Sequence, residues 1–258
     1  MGASPANITN TIFPSPPQRR GGRERSGQVL IKFQMTEIFS IFGYGVPKNI
    51  MKDDNYRRYL SIVFNQIFDV VAGESADILL CGGPTDCFKP YKRTEAEEMV
   101  KLFKNLAGRS EVKKHTKKWK YILLAKTVCG LENILYTVGY LKKNKIKKAE
   151  VIIFCEQTRS SRIRRLVNYG QKHDKLLRGI KFVITPIDFD LSSNRYLDKE
   201  FILKREGHDF DMEFEAIKSR EALLKWRQWH LKKLEYFRNN GYDKDGAKVV
   251  ERWWRENL

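Results

Sequence analysis

Short apolar runs alternate with amphipathic helical stretches from Thr36 onward, and this alternation repeats five times along the chain. Such a pattern is typical of a parallel sheet in an α/β fold, because each buried strand is followed by a crossover helix. Strands are predicted at residues 38–42, 78–81, 121–125, 151–154 and 181–187. We therefore predict a doubly wound sheet of five mostly parallel strands.

Helices are predicted between the strands. The first covers about residues 55–72 and stops at Gly73. The second begins at Thr94, because Thr94-Glu95-Ala96-Glu97 fits a capping box. The third follows Gly130, and the fourth is a basic helix that starts near Arg159. Together with the strands, these helices predict an α/β domain over residues 29–190.

The two ends of the chain differ from this central region. Residues 1–28 contain the prolines Pro5, Pro14, Pro16 and Pro17 and an arginine-glycine run, which predicts a disordered basic leader. Residues 191–258 are predicted to form a helical extension that packs on the α/β domain, with a long helix at 213–238 and a short Trp-rich helix at 249–254. The aromatic residues of this extension either cover the sheet with an apolar face or form a stacking platform for bases.

Composition narrows the class of protein. The chain has 258 residues, of which 41% are hydrophobic, so it can bury a core and is neither fibrous nor wholly disordered. A net charge of +18 favours polyanionic partners. No apolar window is long enough for a membrane span and no secretory signal is present, so we expect a soluble, cytoplasmic protein. The four cysteines stand singly, and no metal-binding spacing occurs.

Candidate ligand-binding residues follow the predicted strands. In an open doubly wound sheet the ligand lies at the carboxyl ends of the strands, where glycines allow close approach and helix N-termini attract anions. The glycine pairs are incomplete as phosphate-binding fingerprints, and tight strand-to-helix turns are the alternative interpretation. The residues at this edge are Gly43, Gly45, Gly82, Gly83, Thr127, Thr158, Arg159 and Arg162.

Acidic residues at two helix starts are the candidates for catalysis. Glu95 follows Thr94 in the helix after Gly83, and Glu132-Asn133 opens the next helix. A carboxylate at either place can accept hydrogen bonds from sugar hydroxyls or act as a general base. The alternative is that acidic residues favour helix N-termini through the helix dipole alone.

Basic residues fall into two groups. The lysine runs at 113–118 and 142–148 precede the third and fourth strands, at the edge opposite the candidate cleft. They form either a solvated face or a surface for nucleic-acid phosphates. Arg159 and Arg162 instead open the helix after the fourth strand, where a guanidinium group can bind phosphate or carboxylate. Arg162 is the basic residue that we expect most strongly at the ligand.

The order of these motifs over about residues 36–190 resembles the ElyC/SanA/YdcF family, whose short motifs follow successive parallel strands. The matching positions are Gly82, Gly83, Glu95, Ala96, Met99, Glu132, Asn133 and Arg162, with Thr94 and Thr127 in place of serines. Cys129-Gly130 and Cys155-Glu156 depart from the family pattern. Arg159 stands where the family has a histidine, which removes an acid/base group suited to neutral pH.

The resemblance implies a Rossmann-like three-layer sandwich with a cleft for a nucleotide-like ligand, S-adenosylmethionine having been proposed for one branch of the family. Other members are linked to envelope polysaccharides and are anchored by transmembrane helices, a role that does not transfer easily to this sequence. We expect a protein that binds a small anionic, phosphate-bearing or nucleotide-like molecule, with S-adenosylmethionine as one candidate cofactor. The alternatives are a basic nucleic-acid-binding protein and a catalytically degenerate family member.

Overall fold

Five strands form one parallel sheet at the centre of the protein. The computed structural model describes residues 36–189 and 199–258, so the predicted leader and residues 190–198 lie outside the described residues. The strands are β1 Thr36–Phe42, β2 Ala76–Cys81, β3 Trp119–Leu124, β4 Ala149–Glu156 and β5 Ile180–Ile187. Their order is β3-β2-β1-β4-β5, and every pairing between neighbours is parallel. The predicted α/β sheet is confirmed.

Eight α-helices accompany the sheet within the described residues. They are α1 Asp54–Val71, α2 Glu95–Ala107, α3 Ser110–Lys113, α4 Gly130–Lys143, α5 Ser160–His173, α6 Lys199–Ala216, α7 Arg220–Asn239 and α8 Tyr242–Asn257. Thr94 caps α2 with the predicted capping box, since its side chain accepts from the N–H of Glu97 and the Glu97 carboxylate accepts from the N–H of Thr94. A short 3-10 helix, Gln157–Arg159, connects β4 to α5.

The prediction of a single long helix at 213–238 is wrong. The chain there forms the end of α6 and then a separate α7, whose N-cap Ser219 accepts a hydrogen bond from the N–H of Ala222. A serine side chain that satisfies a free N–H group in this way starts a new helix. The short Trp-rich helix predicted at 249–254 is the second half of the longer α8.

Side chains of β1 alternate between two hydrophobic layers. Phe39 and Ile41 pack in a core shared with α1 and α2, whereas Ile38 and Phe42 pack in a second core shared with α4 and α5. This period of two is expected for a strand that is covered on both faces. The sheet therefore lies between two helical layers, as the sequence pattern predicts.

The strand order reverses beside β1, which has β2 on one side and β4 on the other. Such a reversal opens a crevice at the carboxyl ends of the strands. Helix α6 contacts α5, α7 contacts α6, and α8 contacts α7. Trp226 of α7 is buried in the second core, in agreement with the packing role predicted for the aromatic residues.

In the part of the chain that the structure describes, no helix has the length and apolar character needed to cross a membrane.

Candidate functional site

A cavity of about 590 Å³ lies at the carboxyl ends of the strands, and we call it the cleft. The loops after β1, β2 and β3 and the 3-10 helix after β4 form its floor, and residues of α6, α7 and α8 complete its wall. Of the residues predicted from the sequence, those that line it are Gly43, Gly45, Gly82, Glu95, Thr127, Asn133, Arg159 and Arg162.

Four of the predicted residues do not line the cleft. Thr94 caps α2, and Thr158 donates both its N–H and its hydroxyl to the carboxylate of Glu156. Gly83 lies against the chain after β3, where an added Cβ would come 2.0 Å from the carbonyl oxygen of Thr127. Its lack of a side chain therefore serves backbone packing.

Glu132, the fourth of these residues, has a structural environment. Its buried carboxylate accepts hydrogen bonds from the N–H of Val128 at 2.7 Å and from the guanidinium group of Arg227 at 2.6 Å. These contacts join the start of α4 to α7. Both oxygens of the carboxylate accept hydrogen bonds from other parts of the fold, so these contacts are no evidence for a ligand.

Glu95 lies on the floor of the cleft between two glycines. A Cβ atom on Gly43 would come 2.0 Å from Oε2 of Glu95, and one on Gly82 would come 2.4 Å from the Cβ of Glu95. Thr85 donates its hydroxyl to Oε1 at 2.5 Å. These glycines therefore make room for a buried carboxyl group, which the tight-turn and ligand-approach interpretations of the sequence both missed.

Burial raises the pKa of Glu95 above its usual range, although the hydrogen bond from Thr85 and the charge of Arg159 act in the opposite direction. A carboxyl group with a raised pKa can hold or release a proton nearer to neutral pH. Glu95 is thus the carboxyl group of the cleft floor that is suited to acid-base chemistry.

The loop after β1 is held by an aromatic pair. Tyr44 stacks on Tyr56 with 4.1 Å between ring centroids, and the Tyr56 hydroxyl donates to the carbonyl of Gly45 at 2.6 Å while it accepts from the N–H of Tyr44. Gly45 has φ +125, a conformation that side chains rarely adopt. This glycine fixes the course of the loop at the point where the strand order reverses.

Arg162 is enclosed by two carboxylates of α6. Its Nε donates to Glu206 at 2.7 Å, and its NH1 donates to Glu213. Burial alone would raise the pKa of Glu206, but the charges of Arg162, Arg205 and Arg159 together lower it to about 2. The guanidinium group that the sequence favours as a ligand contact is therefore already neutralised inside the protein.

Glu213 also occupies the N-terminus of α4. Its carboxylate accepts a hydrogen bond from the N–H of Leu131 at 3.1 Å. A helix N-terminus with a free N–H is where an external anion usually binds. Here a carboxylate of the same chain fills that position.

Several buried polar atoms of the cleft have no hydrogen-bond partner among the described residues. They are Oδ1 of Asn133, Nε of Arg159, Nε of Arg205, Oδ1 of Asp209 and Nε2 of His230. Each such atom costs about 1–3 kcal/mol when it stays unsatisfied. The five residues that carry these atoms line one cavity, and the Oδ1 of Asp209 lies 3.9 Å from Nδ1 of His208.

Arg205, Asp209, His230 and Lys233 were missed by the sequence predictions, which considered only residues that follow strands. A signal was present, since Arg205 and Asp209 are spaced by four and His230 and Lys233 by three, which places each pair on one helix face. Within the described ranges, no three His, Cys, Asp or Glu side chains are grouped so that they could hold a metal ion.

Comparison of the chain with protein-family models, with curated proteins and with solved structures finds no match.

Proposed function

We propose that the protein binds a small phosphate-bearing or nucleotide-like molecule in the cleft, as its resemblance to the ElyC/SanA/YdcF family implies. The observation that carries this proposal is that five residues with an unpartnered buried polar atom line one cavity. A ligand that pairs with them removes several desolvation penalties at once.

Arg159 is the cation that we assign to the anionic part of the ligand. It lies after β4, beside the reversal of strand order, and its NH1 donates to the carbonyl of Gly43 at 3.1 Å. Its Nε has no hydrogen bond and lies 3.9 Å from the carboxylate of Glu156 and 4.0 Å from that of Glu206. Arg159 is thus held to its carboxylates by longer contacts than Arg162, which donates hydrogen bonds to both Glu206 and Glu213.

The charges of the cleft favour a small ligand over a long polyanion. Carboxylates and basic side chains line it in nearly equal number, so the +18 of the whole chain does not concentrate there. The basic residues are Lys48, Arg159, Arg162, Arg205, Lys233 and Lys244, and the acidic ones are Asp53, Glu95, Glu206, Asp209, Glu213, Asp243 and Asp245. S-adenosylmethionine, which carries charges of both signs, is one candidate of suitable character. For any reaction in the cleft, we assign the acid-base role to Glu95.

The test is a thermal-shift screen of the full chain with inorganic phosphate, nucleotides, sugar nucleotides and S-adenosylmethionine at low and high salt. We expect one compound to raise the melting temperature at both salt concentrations, and Arg159→Met to remove most of that rise. Lys232→Met on α7 is the matched control, because Lys232 is exposed and does not line the cleft. Full stabilisation in Arg159→Met, or no stabilisation by any compound, would refute the proposal.

A second candidate function rests on the opposite edge of the sheet. The lysines that precede β3 and β4 are all exposed there, namely Lys113, Lys114, Lys117, Lys118, Lys142, Lys143, Lys145, Lys147 and Lys148. A row of exposed cations suits the sequence-independent binding of nucleic-acid phosphates.

RNA binding that weakens steeply with salt, falls in Lys117→Glu/Lys118→Glu and is unchanged in Arg159→Met supports this second function. If the wild type and Lys117→Glu/Lys118→Glu bind RNA equally well, this second function is refuted. For either function we propose a cytoplasmic location, which cell fractionation tests.

A further inference from the structure

Lys233 on α7 lines the cleft in an unusual environment for an ammonium group. Its Nζ lies 4.9 Å from the ring centroid of Trp229 and 5.1 Å from that of Trp254. It forms no hydrogen bond or ion pair with the residues that the structure describes. Aromatic faces attract a cation less strongly than a carboxylate does, so the charge of this amine is weakly compensated.

The groups that face Lys233 come from four parts of the chain. Arg205 and Asp209 lie on α6, Arg159 follows β4, Cys129 precedes α4, and His230 is one turn earlier on α7. Burial lowers the pKa of Lys233 to about 8, with Arg205 and Arg159 acting in the same direction and Asp209 in the opposite one. About a tenth of such an amine is neutral at pH 7, against less than about a thousandth for an ordinary lysine.

We propose that Lys233 is a nucleophilic amine that forms an imine with a small aldehyde or ketone bound in the cleft. The inference rests on the cleft being the ligand site proposed above. A desolvated amine beside other cations is the usual arrangement of an imine-forming lysine. Arg159 and Arg205 would bind a phosphate or carboxylate on the same compound, so the substrate class is a carbonyl compound that bears an anionic group.

The step is balanced without an oxidant or a reductant. The neutral amine attacks the carbonyl carbon, and a C–N bond forms while the carbonyl π pair moves to oxygen. One proton passes from nitrogen to that oxygen to give a carbinolamine. A second proton then passes from the nitrogen to the hydroxyl of the carbinolamine, the C–O bond breaks, and water leaves as the C=N bond forms. Asp209 and His230 line the same cavity, and their side chains, each with an unpartnered polar atom, can relay these protons.

The test traps the imine in the full chain. The protein is incubated at pH 7 with glyoxylate, a small aldehyde that carries a carboxylate, or with pyridoxal 5′-phosphate, a larger one that carries a phosphate. Borohydride then reduces any imine, and peptide mass spectrometry measures the modified fraction at each lysine. Lys232, the exposed neighbour on the same helix, is the internal reference.

We expect at least tenfold more modification at Lys233 than at Lys232 with one or both probes, and competition by inorganic phosphate. Lys233→Met should lose this product while Lys232→Met keeps it, both variants being checked for folding by their melting temperatures. Modification of Lys233 no greater than that of Lys232 with both probes would overturn the inference. If phosphate compounds stabilise the protein but no imine is trapped at Lys233, the imine proposal is refuted and the proposed ligand site stands. If the imine is trapped but no phosphate compound stabilises the protein, only the proposal of a phosphate-bearing ligand is refuted.

Discussion

The carboxylate of Glu95 occupies the space beside Gly43 that a side chain would need, since an added Cβ would come 2.0 Å from Oε2 of Glu95. The relation of Glu95 to Gly82 is different, because there an added Cβ would meet the Cβ of Glu95 at 2.4 Å. A carboxylate can rotate away, but the Cβ atom is fixed to the backbone of α2. The two glycines therefore predict different responses to the same substitution.

Gly82→Ala should lower the free energy of unfolding by about 1–3 kcal/mol, because α2 has to move. Gly43→Ala should cost less, because Glu95 can rotate, and it should displace the carboxylate from the cleft. Chemical denaturation measures both, and Gly139→Ala on α4 is the control, since no atom lies within 4 Å of its added Cβ. Glu95→Ala should remove most of the penalty of Gly43→Ala and leave most of that of Gly82→Ala, and the reverse pattern would contradict this account.

Removal of Arg162 should destabilise the protein strongly. Arg162→Met leaves the carboxylates of Glu206 and Glu213 buried without their shared partner. Breaking a buried ion pair from one side costs about 3–5 kcal/mol. Arg255→Met is the control, because its pair with Glu251 is largely exposed and should contribute less than about 1 kcal/mol. Equal stability of the two variants in urea denaturation would show that Arg162 is not a structural residue.

Because His230 is buried, we expect the free energy of unfolding to fall in mild acid. Burial lowers the pKa of His230 well below its usual 6.5, and the charges of Lys233, Arg162 and Arg159 act in the same direction. Below pH 6.5 the unfolded chain therefore binds a proton that the folded chain does not. Stability falls by up to about 1.4 kcal/mol per pH unit until the pH reaches the lowered pKa.

Denaturation at pH 6.5 and pH 5.0 checks this prediction, with His230→Gln compared with the wild type. The variant should lose less stability between the two pH values. His173→Gln, which changes an exposed histidine, should behave like the wild type. An identical pH dependence in His230→Gln and the wild type would rule out the assigned role.

Substitutions of Glu132 and Glu95, the two candidate carboxylates, should have different effects on ligand binding. Glu132→Gln should lower stability while leaving binding intact, because its partners Arg227 and Val128 belong to the fold. Glu95→Gln should weaken binding, since Glu95 lines the cleft. Melting temperatures with and without the stabilising compound measure both effects, and a binding defect confined to Glu132→Gln would reverse the assignment.

The sheet was predictable because its information is local. Each strand of the sequence is a short apolar run followed by a helix signal, such as the capping box at Thr94. That alternation does not determine the strand order, so the reversal beside β1 could not be predicted from it. The break at Ser219 was missed because apolar residues recur at helical spacing on both sides of it, and periodicity alone does not mark an N-cap.

The cleft was only partly predictable, because it depends on contacts between distant residues. Arg162 pairs with Glu206 and Glu213, which are 44 and 51 positions away. No local motif encodes such a pairing. Arg205, Asp209, His230 and Lys233 reach the cleft from helices that follow the α/β region, so a search limited to strand ends finds the floor of the site and misses its wall.

The most direct test of the central claim is calorimetric titration of the full chain with the compound that stabilises it most. We predict one binding site per chain and an affinity that falls about tenfold or more in Arg159→Met, as expected for the loss of a charge-assisted hydrogen bond, with no change in Lys232→Met. Equal affinity in Arg159→Met and the wild type, or no saturable binding, would contradict the assignment of the cleft as a ligand site.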